Sequence, residues 1–402
     1  MKPPASRRDF LATGLALPAT GLATPSIPVA APAAAPPKLT YRTLGKTGLK
    51  LTSLSFGCMT TSDPSVIERA ADLGIIHFDS ARSYQNGNNE RMVGTALKGK
   101  RKQVVLSSKT LAKTRQEAED HLNTSLKELG TDYLDIWYLH NRSAPEEVTD
   151  DLLEAQRAAK KAGKIRFAGV TTHFNMDVML DHVVKRGQTD VVLSTYNFSM
   201  RNIATTDRQA RQSDLTAAIQ AARKAGMGIV IMKSMAGGVE RVGRGDRLYG
   251  ADPQALKKVL GTKGGPLAAI KWVLKNQSVD TVIVCMTDQD QLDENLRAMS
   301  EPYTDKDEQI LQSLLAYISP IYCRMCGACK GYCDRGVPVP DMLRFLTYVE
   351  GYGQFAMARE HFLALPEHVR AIRCSDCASC SVDCPNGVRV RDRVMRAQEL
   401  LA

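Results

Sequence analysis

The sequence has no dense cluster of lysine and arginine with interleaved aromatic residues. It has 402 residues, a formal net charge of +10 and only 6% aromatic residues. The basic side chains are scattered and often stand beside acidic ones, as in KDEQ (306–309) and RVRDR (389–393). Nucleic-acid binding needs concentrated positive charge, so we expect no nucleic-acid partner. The 44% content of hydrophobic residues indicates an ordinary globular chain with a sizeable core.

Long uninterrupted apolar runs are also missing. The N-terminal stretch LATGLALPATGLAT (11–24) is short and broken by proline, so we expect no transmembrane span. It follows Ser6-Arg7-Arg8-Asp9-Phe10-Leu11, which matches a twin-arginine export motif, and small-residue cleavage sites such as Ala31-Pro32-Ala33 come after it. The alternative is a chance pair of arginines. We interpret residues 1–37 as a twin-arginine signal and linker, which predicts export to the periplasm.

Cysteine is scarce except near the C-terminus, where eight of the ten cysteines form two runs spaced C-x2-C-x2-C-x3-C. A disulfide framework is typical of short secreted chains, and zinc sites usually use two separated C-x2-C pairs. The spacing instead resembles that of two-cluster bacterial ferredoxins, which predicts two [4Fe–4S] clusters. In such proteins the fourth cysteine of each run binds the other cluster. The resemblance therefore implies two sets of ligands: Cys323, Cys326, Cys329 with Cys384, and Cys374, Cys377, Cys380 with Cys333.

The cysteine runs and the N-terminal motif support each other. The twin-arginine route carries folded proteins, and a cluster must be inserted before export. Thiolates that entered an oxidising compartment without their cluster would form disulfides.

Between residues 50 and 300, short apolar, β-branched runs alternate with stretches of helical period. Eight strands, each followed by a helix, favour a (β/α)8 TIM barrel over an open doubly wound sheet. We predict a barrel domain at 38–305 and a small, mostly helical, dicluster ferredoxin-like domain at 306–402. The predicted strands are 51–57, 74–79, 103–109, 133–140, 165–170, 191–197, 228–233 and 281–285.

Four polar residues stand at or just beyond the C-terminal ends of predicted strands, where barrel enzymes have their active site. They are Asp79, Tyr84, Lys109 and His140. Here the chain resembles the aldo-keto reductase superfamily, from YRTLGKTGLKLTSLSFGCM (41–59) through FDSARSYQNGNNERMVGTAL (78–97) to DQLDENL (290–296). The resemblance covers nearly all of residues 38–300. It implies a barrel that reduces a carbonyl group or oxidises an alcohol.

The chemistry of carbonyl reduction explains these four residue types. Hydride addition needs a proton for the developing alkoxide, which Tyr84 would supply. Lys109 would lower the pKa of Tyr84, and Asp79 would hold Lys109 charged and oriented. His140 would hydrogen-bond the carbonyl oxygen. Alone, each residue has a structural explanation, such as a helix cap, a solvated strand end or a packed loop.

The resemblance also implies a nicotinamide cofactor, NAD(P)H. It would place Tyr196 and Asn197 against the nicotinamide, Lys233 and Gly237 in the phosphate-side loop, and Glu294 and Asn295 at the adenine. The segment before that pair departs from the family, because Gln291 stands where an arginine often does. A 2′-phosphate would lose a charge-assisted partner there, which argues against a preference for NADP.

Two functions from different classes follow. The first is an oxidoreductase with a small carbonyl or alcohol substrate, whose two clusters exchange electrons with a redox partner protein. Nicotinamides transfer two electrons at once and a cubane transfers one; flavins normally bridge that difference, but no flavin motif is visible. The alternative is therefore an electron-transfer or partner-binding subunit whose barrel no longer turns over nicotinamide, with redox-active or structural clusters. In a third interpretation the clusters are purely structural and hold the C-terminal segment over the mouth of the barrel.

Overall fold

Eight parallel strands form a closed barrel, which confirms the predicted strand pattern. The computed structural model describes residues 38–201, 215–236, 264–329 and 333–402. Each barrel strand pairs with the next along the chain, and the last pairs with the first. The barrel strands are β3 (Leu54–Gly57), β4 (His77–Asp79), β5 (Val105–Thr110), β6 (Leu134–Leu139), β7 (Ile165–Thr172), β8 (Val191–Thr195), β9 (Gly228–Met232) and β10 (Thr281–Cys285).

A hairpin precedes the barrel and covers the N-terminal ends of its strands. β1 (Tyr41–Thr43) pairs antiparallel with β2 (Lys50–Thr52). Leu44, between them, is fully buried against the start of β9. A Cβ atom on Gly228 would lie 2.6 Å from the Leu44 Cγ, so this close approach requires glycine. The functional face must therefore be the opposite end of the barrel.

Helices separate the barrel strands, as the helical stretches of the sequence predict. In one of them, Thr114 caps the N-terminus by accepting from the Glu117 amide, and Gly130 ends the helix in the left-handed conformation. The described helices of this part are α1 (Pro64–Asp72), α2 (Asn88–Ala96), α3 (Arg115–Leu129), α4 (Asp150–Lys161), α5 (Met176–Arg186), α6 (Thr216–Lys224), α7 (Gly265–Lys275) and α8 (Gln289–Leu296).

The region after the barrel is helical. α9 (Asp305–Ile318) packs on α7, and its Leu311 and Leu314 belong to the same core as the barrel. A second apolar core begins near Val337. It is built mainly by α10 (Val339–Glu350), α11 (Phe355–Leu363) and α13 (Val390–Leu401), and the short α12 (Glu367–Arg370) has no buried residue. None of the helices in the described ranges is long and apolar enough to cross a membrane.

Candidate active site

A cavity of about 410 Å³ lies at the C-terminal ends of the barrel strands. Its walls come from residues that follow strands of the barrel, and its far side comes from α10 and α11, which we call the roof. This volume lies within the range of small-molecule sites. The cavity is therefore enclosed jointly by the barrel and by the C-terminal region.

Lys109 is the centre of the predicted catalytic group. Its Nζ donates to the Asp79 Oδ2 at 2.5 Å, to the Ser80 carbonyl oxygen at 2.6 Å and to the Tyr84 hydroxyl at 3.2 Å. Asp79 also accepts from the Ser107 hydroxyl at 2.6 Å. The Lys109 and Asp79 side chains are only 1% and 2% exposed, so the pair is shielded from water. The ammonium group is fixed in position by three oxygen atoms.

The backbone around Tyr84 is held by several specific contacts. Gln85 and Asn86 are both left-handed, with φ of 50° and 52°, a conformation that costs energy for residues with a Cβ. The Gln85 amide compensates by donating to the Thr61 carbonyl oxygen at 2.9 Å. Arg82, which stands two residues before Tyr84 in the sequence, forms an ion pair with the buried Glu90. These contacts direct the phenol into the cavity.

The pKa of Tyr84 is raised, whereas the sequence-based expectation was a lowered pKa. Burial, followed by the Asp79 carboxylate, raises the pKa of Tyr84 well above its usual value. The site as a whole therefore raises this pKa, and the lowering expected from Lys109 stays a prediction. The phenol stays protonated, which is the form that donates a proton. Lys109 then acts on the phenolate that forms after the transfer.

His140 completes the predicted group, and the sequence reasoning missed His173 beside it. The His140 ring lies edge-on to the Tyr84 ring at 5.9 Å and 6.2 Å from the ring of His173. Burial, with Lys109 next, lowers the pKa of His140 well below its usual value, so the ring is neutral. A neutral imidazole can donate one N–H to a carbonyl oxygen. His173 directly follows β7, so the rule that identified the other four could have found it.

The structure brings only some of the predicted cofactor residues to the cavity. Lys233 lines it, with a left-handed φ of 58°. Tyr196 does not line it, because its ring packs on Trp272 at 4.9 Å and its hydroxyl is 2.8 Å from the Thr216 hydroxyl. Gly237 lies outside the described residues.

The remaining predicted cofactor residues, Asn197, Glu294 and Asn295, do not line the cavity. Asn197 is buried and donates to the Lys233 carbonyl oxygen at 3.0 Å, so it supports the Lys233 turn. Glu294 is partly exposed on α8, and Asn295 is 1% exposed with no partner for its Nδ2 among the described residues. Gln291 lines the cavity, and its amide donates to the Thr287 hydroxyl at 2.9 Å and to the Asp288 carboxylate at 2.8 Å.

The roof lies where one sequence-based alternative placed the C-terminal segment, over the mouth of the barrel, although its individual residues were not identified. Arg344 and Tyr348 of α10, Tyr352 of the following turn and His361 of α11 all line the cavity. With its nitrogen facing the carboxylate, the Asn86 amide lies 2.9 and 3.0 Å from the oxygens of Glu360 on α11. No sequence signal links residues 344–361 to a barrel that ends some 60 residues earlier. Only the folded C-terminal region reveals the contact.

The eight clustered cysteines form two groups that combine both runs. Burial raises the pKa of the Cys323 thiol, and the thiols of Cys326, Cys329 and Cys384 are near enough to add to this effect. We call these four the rim group. The pKa of Cys374 is raised to about 11 by burial, with contributions from Cys333, Cys377 and Cys380. These four are the surface group. None of the ten cysteines, all of which are described, forms a disulfide.

Hydrogen-bond donors surround the sulfur atoms of both groups. In the rim group the Met325 amide is 3.4 Å from the Cys323 Sγ, and the Asn386 amide is 3.3 Å from the Cys326 Sγ. In the surface group the Arg335 guanidinium is 3.4 Å from the Cys377 Sγ. Such donors stabilise negative charge on sulfur. No three of the described His, Cys, Asp or Glu side chains are placed to hold a single metal ion. A four-iron cluster is larger than one ion and needs thiolates further apart.

The rim group lies against the C-terminal end of the barrel. The Arg324 Nε donates to the Ser199 carbonyl oxygen at 2.7 Å, and the backbone N–H of Asn175 donates to the Met325 carbonyl oxygen at 3.2 Å. Asn197, which supports Lys233, lies 3.4 Å from the hydroxyl of Tyr322, the residue before Cys323. In the surface group, Cys380 is exposed. The two groups therefore differ in their distance from solvent.

Comparisons with known proteins agree with this fold. The model of the aldo/keto reductase family matches residues 60–316, and the match ends before the first cysteine run. L-galactose dehydrogenase of Arabidopsis thaliana is 25% identical over 71% of this chain and 96% of its own length. L-glyceraldehyde 3-phosphate reductase of Escherichia coli O157:H7 is 24% identical over 68% of this chain and 91% of its own length. The uncharacterized oxidoreductase YqkF of Bacillus subtilis is 27% identical, over 40% of this chain and 57% of that protein.

A solved structure has the same barrel. The holo form of the aldo-keto reductase AKR11C1 from Bacillus halodurans matches with a TM-score of 0.56 at 23% identity. The match covers 69% of this chain and 96% of that chain. At this identity the likeness establishes the fold.

Proposed function

Since the chain belongs to the aldo/keto reductase family of oxidoreductases, in which NAD(P)H is the typical cofactor, we propose that it reduces a carbonyl group, or oxidises the corresponding alcohol, at Tyr84. The observation that carries this proposal is the placement of the Lys109 Nζ between the Asp79 carboxylate and the Tyr84 hydroxyl. Tyr84 donates its proton to the carbonyl oxygen as negative charge develops there. The phenolate left behind is stabilised by Lys109, which Asp79 holds in position. Neutral His140 donates an N–H to the same oxygen and orients it.

The cofactor would supply the hydride. The chain offers residues that suit a nucleotide, because Lys233 faces the cavity and the buried Asn295 Nδ2 lacks a partner among the described residues. Lys233 would contact phosphate, and Glu294 and Asn295 would contact the adenine end.

Replacement of Tyr84 by phenylalanine tests the mechanism. We expect reduction of small aldehydes and 2-oxo acids, followed by nicotinamide absorbance, to fall about 10²–10⁴-fold, since the proton donor is lost. Tyr138→Phe is the matched control. Tyr138 is fully buried inside the barrel, and its hydroxyl has no partner among the described residues. Equal activity of the two variants would contradict a proton-donating role for Tyr84.

We also propose that the rim and surface groups each hold one [4Fe–4S] cluster. The support is the combination of cysteine spacing, the grouping of thiols from both runs and the donors aimed at sulfur. The cluster of the rim group would exchange electrons with the barrel, and that of the surface group with a redox partner protein. Anaerobically purified protein should contain iron and acid-labile sulfide, which Cys380→Ser reduces and Cys58→Ala leaves unchanged. Protein without iron would refute the proposal.

One observation favours a second function, an electron-transfer or partner-binding subunit without nicotinamide turnover. The Lys233 Nζ lies 5.1 Å from the ring centre of Tyr348 and 5.6 Å from that of Tyr352, so the roof covers a predicted phosphate contact. Tyr196 is also buried away from the cavity. Binding of NADH in the absence of any aldehyde reduction by the wild-type protein would favour this function.

We further propose export to the periplasm with the clusters already inserted. The support is the motif around Arg7 and Arg8, in residues that the structure does not describe. Cell fractionation should find the protein in the periplasm, and replacement of both arginines by lysine should retain it in the cytoplasm. Unchanged localisation of that variant would contradict the proposal.

A further inference from the structure

Two cationic side chains from distant parts of the sequence line the cavity. Lys233 follows β9, and Arg344 lies on α10 in the roof. Arg344 is only 7% exposed. Its Nη1 donates to the Tyr348 hydroxyl at 3.1 Å and its Nη2 to the Asp341 Oδ1 at 2.6 Å. A guanidinium has five N–H donors, so this one retains donors for a ligand.

The charge of these two cations is only partly balanced. Among the described residues that line the cavity, Asp79 is the only carboxylate, and it is bound to Lys109. Asp341 pairs with Arg344, but its side chain is 40% exposed. No carboxylate in the described part of the chain forms an ion pair with Lys233, whose Nζ lies over the rings of Tyr348 and Tyr352. A shielded cation without a counterion is costly, and an anionic ligand would remove that cost.

The neighbouring histidines respond to this positive field. Burial lowers the pKa of His173, and Lys233 and Arg344 lower it further. The pKa of His361 is lowered to about 4 by burial and then by Arg344. The buried Nδ1 atoms of His140 and His173 have no partner among the described residues. The cavity therefore combines positive potential with unused polar atoms.

We propose that the natural substrate is a carbonyl compound that carries a carboxylate, and that Arg344 binds this carboxylate, within the positive field to which Lys233 contributes, while the carbonyl group faces Tyr84 and His140. This assignment rests on the proposed function. A guanidinium binds a carboxylate through two parallel hydrogen bonds, and Lys233 adds a point charge. Leu111 and Met357 give the same cavity an apolar wall for the rest of the substrate. The C-terminal region thus contributes substrate selection as well as cysteines.

Equilibrium binding tests the proposal independently of turnover. Phenylglyoxylate and its neutral amide, phenylglyoxylamide, are titrated calorimetrically into the full-length protein, with and without NAD⁺. We expect the acid to bind at least about tenfold more tightly than the amide. Arg344→Gln should remove this preference and leave amide binding unchanged, and Arg344→Lys should retain part of it. Arg359→Gln is the control, because Arg359 lies on α11 and donates to the Leu401 carbonyl oxygen instead of lining the cavity.

Two results would overturn the proposal. Equal binding of acid and amide by the wild-type protein would show that no anion subsite exists. A second source of negative charge is the phosphate of the nucleotide, so NADH and NADPH are titrated into the same variants. If Arg344→Gln weakens nucleotide binding and leaves the acid preference intact, the cations serve the cofactor. Loss of activity in Tyr84→Phe bears on the proposed function alone, since the binding measurement does not depend on catalysis.

Discussion

At the scale of single residues, the protonation states of the site define a pH dependence. Burial and Asp79 keep the pKa of Tyr84 well above its usual value, so the phenol holds its proton at neutral and moderately alkaline pH. The lowered pKa of His140 keeps that ring neutral at neutral pH. We therefore expect kcat for carbonyl reduction to vary by no more than about twofold between roughly pH 6 and 9. A bell-shaped profile centred near neutrality would contradict these assignments.

The buried ion pair between Lys109 and Asp79 makes a prediction about stability. Lys109→Met leaves the Asp79 carboxylate buried without its cation, and we expect the free energy of unfolding to fall by about 3–5 kcal/mol. The double variant Lys109→Met/Asp79→Asn removes both charges and should recover most of that loss. Thermal unfolding of the three proteins measures the effect. Equal melting temperatures for wild type and Lys109→Met would show that the pair is not shielded as described.

The sequence predicts the positions of chemically distinctive residues better than the directions of aromatic side chains. Asp79, Lys109 and His140 stand at strand ends, and the barrel geometry alone brings such ends together. Tyr196 also follows a strand, but packing on Trp272 decides its orientation. That contact joins residues far apart in sequence. The raised pKa of Tyr84 was missed for a similar reason. Burial is the main cause of this shift, and the burial of Tyr84 depends on packing with the roof, which is distant in sequence.

At the scale of secondary structure elements, the start of α8 is where we expect the choice between NADH and NADPH to be made. The Gln291 amide is engaged with Thr287 and with the Asp288 carboxylate, so Gln291 itself offers no positive charge to a 2′-phosphate. We expect Gln291→Arg to raise the affinity for NADPH relative to NADH about tenfold, measured by fluorescence titration. Gln312→Arg adds the same charge on α9 and should leave the ratio unchanged. An unchanged ratio in Gln291→Arg would place the 2′-phosphate elsewhere.

The strands were predictable from local sequence patterns, whereas the residues that form the roof were not. Barrel strands are buried on both faces, so they appear in the sequence as apolar, β-branched runs. In the sequence of the roof, the only recognisable pattern is the helical spacing of apolar residues in α10. This pattern does not show that Arg344 faces the cavity at the end of the barrel. Such a contact depends on docking between two cores, which no local pattern encodes.

At the scale of the whole molecule, the segment that carries Cys323 of the rim group joins the two cores. Met325 and Arg324 contact the barrel through Asn175 and Ser199, and Tyr322 reaches Asn197, which supports Lys233. The same short segment thus approaches the cavity on one side and presents Cys323 to its group on the other. On this arrangement rests our proposal that a cluster held by the rim group exchanges electrons with the barrel.

Electron counting makes the coupling testable. One NADH releases two electrons and each [4Fe–4S] cluster accepts one, so two clusters together match one hydride equivalent. We expect anaerobic titration of the iron-loaded protein with NADH to produce the EPR signals of reduced clusters. The signal intensity should saturate at about one NADH per chain. Cys323→Ser, which removes a ligand of the rim group, should prevent reduction of the remaining cluster by NADH but not by dithionite. Cys58→Ala is the control, because Cys58 belongs to neither group. If NADH binds tightly and no EPR signal develops while dithionite reduces both clusters, the barrel and the clusters are not coupled, and the second function, without nicotinamide turnover, would be favoured.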